Sequence, residues 1–339
     1  MHIPLKTWIV VHVCYREIFK APVLVKDLKK WLKSNDFSQI DLCISYLINE
    51  GILYLEDGYV VRKGNEQFIR DQPEKSELTK ELLNSVKRVS KFLSFIPFIK
   101  FVGVSGSIAA ENPTVDKVGF NKGNIDVDFY VIAAKNTLWV FLFFERVFNN
   151  LYHLILRKHT YCFNYCTEED FLEVVNKSFY TSTELNNLLK LYGTMDKNEV
   201  LLQNLWATNY YNLDINTREL SYKKKRRILR QSLYLLNKTL YYIYFMMRSI
   251  KNFKLDILSF RQVEFNNAYR YNLKRISNPN GGYEMQVSRR FADLMSRFYP
   301  DYYDSNLIAF LFPNDGMAEK VDPENEREVY EGYITKYAD

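Results

Sequence analysis

Two aspartates lie one residue apart in an otherwise apolar stretch, IDVDFYVI, at residues 125–132. Aspartate is depleted in β-strands because it neither packs on a pleated surface nor favours extended backbone. In a strand, Asp126 and Asp128 project from one face, and the intervening apolar residues point to the other. Paired carboxylates repel each other, and a divalent cation relieves that repulsion. The pattern therefore predicts a Mg²⁺ (or Mn²⁺) site that also accepts phosphate oxygens, with a solvated strand edge as the alternative.

A short turn upstream supplies a second polar feature. The stretch VSGSIAAEN, residues 104–112, predicts the end of a strand and the start of a short helix. Gly106 lets the backbone approach a phosphate closely. Ser107 offers a hydroxyl and a backbone N–H at a helix N-terminus, where the dipole favours anions. The turn predicts an anion cradle next to the aspartate strand, although a Gly-Ser pair by itself is also typical of a plain turn.

The order of these features resembles the nucleotidyltransferase fold of the DNA polymerase beta superfamily: apolar strand, Gly-Ser, helix start, then an apolar strand with Asp-x-Asp. The resemblance covers residues 99–166. It implies a mixed sheet with helices packed on it, and transfer of a nucleoside monophosphate from an NTP to a hydroxyl, with pyrophosphate as the leaving group. The acceptor stays open among RNA or tRNA, a protein and a small molecule. The resemblance assigns Gly106 and Ser107 to the triphosphate, and Asp126 and Asp128 to the metal ions. Such transfer depends on positioning and charge neutralisation, which a metal clamp supplies.

The spacer between the two motifs is longer than in small members of that family. Eighteen residues separate Ser107 from Asp126, and the extra polar, glycine-containing part predicts a surface loop beside the site. Three further stretches, YCFNY, YTSTEL and LLQNLWATNYY, resemble bacterial proteins described only as carrying a nucleotidyltransferase domain. That second resemblance implies no particular substrate.

The family's third carboxylate is not evident in this chain. It lies on a neighbouring strand, here TYCFNYC at residues 160–166, and the residue at the matching position is Asn164. Glu169 and Asp170 lie just beyond, and we expect them in the following helix. An amide is a poorer Mg²⁺ ligand than a carboxylate. The alternative function is therefore a nucleotide-binding or scaffold protein without turnover.

Residues 1–70 predict a small domain of their own. Periodicity and turn signals indicate, in order, helices at 5–20, 23–35 and 39–50 and a hairpin turning at Asp57-Gly58. This order resembles a winged-helix domain, a fold that often binds DNA through its third helix. Here that helix carries Asp41 and Glu50 and no Lys or Arg. Because phosphate contacts need cations, we expect packing or partner docking, and we rank a winged-helix regulator with a fused ligand domain below the enzyme.

The expected fold class is α+β, with a mixed-sheet nucleotidyltransferase core between an N-terminal winged-helix-like domain and a C-terminal helical domain. A helix from Glu81 to Pro97 should lead into the sheet, and Thr167 should cap the helix after its last strand. The remaining chain divides into a charged linker at 71–80, the core at 81–181, the helical domain at 182–312 and an acidic tail at 313–339.

Positive charge is concentrated between Ser221 and Lys254, where ten Lys or Arg residues and no acidic residue occur. Interleaved aromatic residues favour a nucleic-acid surface, with cations for phosphates and rings for stacking. Two other interpretations stay open: a long helix with a solvated basic face, or pairing with the acidic tail. The candidate contacts to RNA or tRNA are Lys223, Lys224, Lys225, Arg226, Arg227 and Arg230.

Composition excludes several classes of protein. The chain is 47% hydrophobic and 25% charged, which is ordinary for a globular protein. No charge-free run approaches the roughly 18 apolar residues of a membrane span, and no signal cleavage site follows the first apolar run. The four cysteines show neither disulfide nor metal-site spacing. We therefore expect a cytoplasmic protein with no membrane partner, while no motif indicates the acceptor, a partner protein or the oligomeric state.

Overall fold

The fold mixes α-helices with two β-sheets, which confirms the α+β class. The candidate nucleic-acid contacts at 223–230 and the acidic tail from 314 onward lie outside the residues that can be described. The structure, a computed structural model, describes residues 3–32, 37–93, 96, 98–113, 125–145, 160–174, 176–213, 215, 233–244, 246, 270–271, 275–277 and 281–313.

The N-terminal elements lie in the predicted order with one difference: residues 23–24, expected to begin the second helix, form a short strand instead. The elements are α1 (Leu5–Ile18), β1 (Val23–Leu24), α2 (Val25–Trp31), α3 (Phe37–Asn49), β2 (Leu53–Glu56) and β3 (Tyr59–Arg62). The three strands form an antiparallel sheet in the order β1-β3-β2. Asp57 and Gly58 connect β2 to β3 with φ values of 50° and 76°. Both residues tolerate this left-handed conformation, as a tight hairpin requires, so the predicted turn is confirmed.

Helix α1 is the centre of the first hydrophobic core. It packs on α3 and β3, and also on two helices from the end of the described chain, α11 (Gly281–Phe298) and α12 (Ser305–Leu311). Glu17 of α1 accepts hydrogen bonds from Arg62 Nε at 2.8 Å and from the Tyr299 hydroxyl at 3.2 Å. The N-terminal elements therefore share one core with distant residues, a contact that local sequence patterns did not indicate.

The predicted linker at 71–80 is wrong, because those residues begin a long helix. After α4 (Gln67–Arg70), α5 runs from Gln72 to Leu93. Its apolar residues recur at helical spacing, and Leu82 and Val86 are buried against the main sheet. The charges that suggested a linker occupy the outer face, where Lys80 and Glu77 form an ion pair at 3.1 Å.

The main sheet has six strands in the order β7-β4-β5-β6-β9-β8. Strands β5 and β6 are parallel and the other neighbours are antiparallel, so the predicted mixed sheet is confirmed. Three of its strands, β7, β8 and β9, come from residues 182–312, the segment expected to be mostly helical. The sheet therefore contains residues from both sides of the expected boundary at residue 182. The strands are β4 (Ile99–Val104), β5 (Asp126–Ala133), β6 (Thr160–Glu168), β7 (Leu189–Tyr192), β8 (Arg270–Tyr271) and β9 (Arg275–Ser277).

Each face of the main sheet is covered by helices. Val127 and Phe129 of β5 are fully buried on the face that packs against α5 and against α7, the helix at 138–145. Tyr130 and Ile132 are buried on the other face, against α8 (Phe179–Asn187). The alternation predicted for β5 is thus confirmed, and Asp128 belongs to the face that carries α8.

The helix predicted to begin at Thr167 begins later. Thr167 is still in β6, where its hydroxyl donates to the Phe171 carbonyl at 2.6 Å, and α8 begins only at Phe179. Ser178 caps α8, because its Oγ accepts from the Thr181 N–H at 3.2 Å. The other described elements are α6 (Gly106–Ala109), α9 (Lys197–Leu202), α10 (233–244) and two 3₁₀ turns (Leu205–Asn209 and Pro300–Tyr302).

All four cysteines are free thiols, which agrees with the absence of disulfide spacing in the sequence. None of the helices in the described part of the chain is both long and apolar enough to cross a bilayer.

Candidate functional site

The turn between β4 and α6 brings Gly106 against Asp128. Gly106 has a φ of 67°, a left-handed conformation that favours glycine. A β-carbon at this position would overlap the Asp128 carboxylate. Position 106 therefore requires glycine for two reasons: the backbone is left-handed, and the Asp128 carboxylate occupies the space of a β-carbon.

A backbone hydrogen bond fixes this arrangement. The N–H of Ser105 donates to the carbonyl of Asp128 at 2.9 Å, so the turn is joined to β5 at the aspartate itself. Val104 pairs with Phe129 in the antiparallel register between β4 and β5. The structure thus brings together the two motifs that the sequence separates, the Gly-Ser turn and the second aspartate.

The first aspartate lies two residues earlier on the same strand. Asp126 pairs with Thr160, and Asp128 pairs with Cys162, in the parallel register between β5 and β6. By strand alternation, positions 126 and 128 share one face of the sheet. The side chain of Asp126 lies outside the described residues.

Ser107 takes its predicted place in the first turn of α6. It follows Gly106 directly and is partly buried. Its carbonyl accepts the N–H of Asn112 at 2.8 Å, and Asn112 lies just beyond the C-terminal end of α6. The serine follows the glycine that contacts Asp128, and its role in an anion cradle stays a prediction.

A third acidic residue, Glu184 of α8, contacts the same turn. The N–H of Gly106 donates to Glu184 Oε2 at 2.7 Å. Helix α8 is held on this face of the sheet by Leu185 and Leu188, which are buried with Tyr130 of β5. The sequence analysis missed Glu184, because no local pattern links a glutamate in one helix to a motif almost eighty residues earlier.

Burial raises the pKa of the Glu184 carboxyl above its usual value. The hydrogen bond from Gly106 opposes this shift, because it stabilises the charged form. A desolvated carboxylate of this kind is stabilised by a nearby cation, because the cation favours its charged form. Gly106 therefore contacts two described acids: Asp128 lies against its α-carbon, and Glu184 accepts its N–H.

The predicted third-ligand position, Asn164, lies in an irregular part of β6. The pairing between β5 and β6 shifts so that Cys162 opposes Asp128 but Tyr165 opposes Tyr130. Two residues of β6, Phe163 and Asn164, therefore lie opposite the single residue Phe129 of β5, as in a β-bulge. The side chain of Asn164 lies outside the described residues, so its role as a ligand stays a prediction.

The two acids after β6 do not belong to this site. Glu169 and Asp170 lie in a turn and not in a helix, so that expectation is wrong. They form ion pairs with Lys100 at 3.7 Å and with Lys135 at 2.9 Å, respectively. Because β5 and β6 are parallel and Glu168 pairs with Ala133, this turn lies roughly 16 Å along the strands from Asp128.

The donor set around Gly106 consists of carboxylate oxygens, which suit Mg²⁺ or Mn²⁺. Within the described side chains, no group of three or more His, Cys, Asp or Glu is arranged to hold a metal ion. The side chain of Asp126 is not among the described ones. The described pair and the position of Asp126 fit a divalent cation by charge and by ligand type.

Comparisons with protein-family models, with curated proteins and with solved structures find no match to this chain. The resemblance to the nucleotidyltransferases therefore rests on the residues of the turn and the aspartate strand alone. Its fold-level implication, a mixed sheet covered by helices, agrees with the structure, while its chemistry stays a prediction.

Proposed function

We propose that the protein is a metal-dependent nucleotidyltransferase: the oxygen of an acceptor hydroxyl bonds to the α-phosphorus of an NTP, the bond to the β-phosphate breaks, and pyrophosphate leaves. The observation that carries the proposal is the contact between the left-handed Gly106 and the Asp128 carboxylate. It joins a glycine-containing turn to an acidic strand, and this is the combination that a metal–triphosphate complex needs. The proposal includes a nucleotidyltransferase core built on the main sheet, which extends beyond the expected bounds of 81–181, and a winged-helix-like domain at 1–70.

Each residue of the site has a distinct part in this proposal. The backbone at Gly106 and the hydroxyl of Ser107 bind the triphosphate. Asp126, Asp128 and Glu184 hold the divalent cation, which supplies neutralisation of the phosphate charge. A phosphate oxygen that takes the N–H of Gly106 releases Glu184, the acceptor of that N–H in the present structure. The chain itself then positions the phosphates against the acceptor hydroxyl, which is the main catalytic contribution in this class of reaction.

The choice of substrate follows from the chemistry of the site. An NTP is the nucleotidyl donor that matches the proposed turn and cation, and we place the reaction in the cytoplasm, where NTPs are abundant. Incubation with each labelled NTP, Mg²⁺ and either total cellular RNA or total protein tests the proposal. Label in the RNA or in the protein pool identifies the acceptor class, and no transfer from any NTP would contradict the proposal.

A second function is favoured by one observation. The N–H of Gly106 is already occupied by a carboxylate of the chain itself, at 2.7 Å. A nucleotide-binding or scaffold protein without turnover would use Glu184 to limit access to the turn instead of as a ligand. Tight NTP binding without transfer, strengthened when Glu184 is removed, would support this second function.

A further inference from the structure

A basic cleft lies along α2, in the N-terminal part of the molecule. Its volume is about 810 Å³. We call it the α2 cleft, and its lining includes Lys26, Lys29, Lys30, Phe37, Asn212 and Leu213. The mixture of three ammonium groups with apolar side chains distinguishes it from an ordinary solvated helix face.

The spacing of the three lysines places them on one side of α2. Lys26, Lys29 and Lys30 are at positions i, i+3 and i+4, which are neighbours on a helix surface. Lys26 and Lys30 are exposed and Lys29 is half-buried, whereas Leu28 is fully buried on the inner side. The helix therefore turns its apolar side to the core and its cations to the cleft.

Acidic residues offset only part of this charge. Asp41 of α3 pairs with Lys29 at 2.7 Å. A fourth cation, Lys197 of α9, lies near Lys30. Burial lowers the pKa of Lys197 to about 8, and the positive charge of Lys30 makes a smaller contribution in the same direction. Asp196 acts in the opposite direction on that pKa. Asp27 of α2 also interacts with Lys26 and Lys30. The described lining of the cleft itself contains three lysines and no acidic residue, so an anionic ligand is favoured there.

An exposed aromatic ring completes the cleft. Phe37 at the start of α3 is 56% exposed, although most phenylalanines in the described chain are buried or partly buried. Leu213 and Ile215 line the same cleft. Cations that follow a phosphate backbone, next to a ring on which a base stacks, are the combination that binds single-stranded nucleic acid.

One helix links this cleft to the candidate site. The ammonium group of Lys197 donates to the carbonyl of Asn186 at 2.6 Å, and Asn186 is in α8. Glu184, two residues earlier in α8, accepts from Gly106. Two residues of helix rise only about 3 Å. The α2 cleft and the proposed site of transfer are therefore connected through Lys197 and α8.

We propose that the α2 cleft binds single-stranded nucleic acid, with Lys26, Lys29 and Lys30 on its phosphates and Phe37 against one base. The bound strand is then the acceptor of the transferred nucleotide. The binding stands on the cleft alone, whereas the acceptor role rests on the proposed function. This assigns the phosphate contacts to α2, while α3, whose sequence lacks cations, contributes the ring of Phe37.

Fluorescence anisotropy with the full chain and a labelled single-stranded RNA oligonucleotide tests the binding, without NTP and over a range of KCl concentrations. Replacing Lys26, Lys29 and Lys30 together by Gln should weaken binding at least about tenfold and lower the log–log salt slope by about two. Phe37→Ser should weaken binding by about tenfold with the slope unchanged, since stacking carries no counterion release. The two variants thus separate charge from stacking.

A matched control removes the same charge elsewhere. Replacing Lys80, Lys87 and Lys177 by Gln should leave both the affinity and the slope close to those of the parent. The proposal is overturned if the parent does not bind RNA, if the α2 variant behaves like this control, or if the slope falls only when residues 223–227 are replaced. Binding of polyglutamate but not RNA would assign the cleft to an acidic protein and also overturn it.

The acceptor role has a separate readout. RNA binding at the cleft together with label transferred to that RNA supports it. RNA binding with label transferred only to protein overturns the acceptor role and leaves the binding proposal intact. RNA binding with no transfer from any NTP contradicts the proposed function and leaves only the binding proposal.

Discussion

Gly106 and Asp128 are in direct contact: a β-carbon on the glycine would occupy the position of the aspartate's carboxylate. The same two segments are joined by a hydrogen bond from Ser105 N–H to the Asp128 carbonyl at 2.9 Å. The turn and the acidic strand therefore form one rigid unit. This unit is the basis of the proposed function, and it yields predictions about stability as well as activity.

Gly106→Ala should destabilise the protein by at least about 2 kcal/mol, because it adds left-handed strain and an overlap with Asp128. Gly64→Ala is the matched control. Gly64 also has a positive φ, 98°, but no atom lies within 4 Å of a β-carbon there. The control should lose only about 1 kcal/mol. Urea unfolding of both variants measures the difference.

The overlap with Asp128 can be isolated by a double substitution. In an Asp128→Ala background, the cost of Gly106→Ala should fall, because the carboxylate that the new methyl group meets is absent. The same cost in both backgrounds would mean that strain alone explains the effect, and that the contact between the two residues is not close.

Glu184 should be required for transfer. Glu184→Gln keeps a hydrogen-bond acceptor for Gly106 but removes the negative charge, and Glu184→Ala removes both. If Glu184 is the third oxygen ligand, each variant should lose at least about a hundredfold in kcat, since a metal ligand acts mainly in the transition state. Glu173→Gln is a control, because Glu173 is an exposed glutamate paired with Lys177 at 2.6 Å.

The opposite result has a definite meaning for Glu184. An alanine variant that binds NTP more tightly and retains transfer would show that the carboxylate blocks the turn. In that case the third ligand must come from another position. The sequence resemblance names Asn164 as the first alternative.

Asn164→Asp tests that alternative. If the side chain at 164 reaches the face of Asp128, a carboxylate there should raise the affinity for Mg²⁺ or Mn²⁺. Without metal, like-charge repulsion should lower the stability slightly. Thermal melts in chelator and in metal would show a larger metal-induced shift than in the parent. Equal shifts would place residue 164 away from the site.

His12 predicts an acid-sensitive core. It is 1% exposed among aromatic rings that include Trp31, Phe179 and Tyr211, and burial lowers its pKa to about 3. The unfolded chain binds a proton near pH 6.5 and the folded chain does not, so this group reduces stability as the pH falls below 6.5. The expected loss is about 1.4 kcal/mol per pH unit down to about pH 3.

Urea unfolding between neutral and mildly acidic pH measures this loss. His12→Leu should have a flatter pH dependence than the parent, even if its stability at pH 7 differs. Parallel pH profiles for the two proteins would show that His12 is not buried as a neutral ring.

The elements that the sequence predicted well depend on neighbouring residues. The hairpin at Asp57-Gly58 follows from residues that tolerate left-handed backbone, and the alternation in β5 follows from strand geometry. Polar composition was misleading at 71–80, where helical spacing of apolar residues such as Leu78 determined the outcome. Thr167 resembled a helix cap, but pairing with β5 and β9 keeps it in a strand.

The elements that the sequence did not reveal depend on distant partners. Strand β7 has only four residues, and its strand state is stabilised by pairing with β4. Glu184 reaches Gly106 only because α8 packs on the sheet through Leu185. The α2 cleft likewise combines helix residues near position 30 with Leu213. Such contacts leave no local periodicity for a sequence analysis to find.

The most direct test of the account is transfer from labelled NTP, in Mg²⁺, by the parent protein, Asp126→Ala, Asp128→Ala and the control Asp293→Ala. Asp293 is an exposed aspartate paired with Arg297 at 2.7 Å, so its loss should not affect the reaction. We predict that the parent and the control label one acceptor pool, and that both site variants are folded and at least about a hundredfold slower. Near-normal transfer by folded Asp128→Ala would contradict the account.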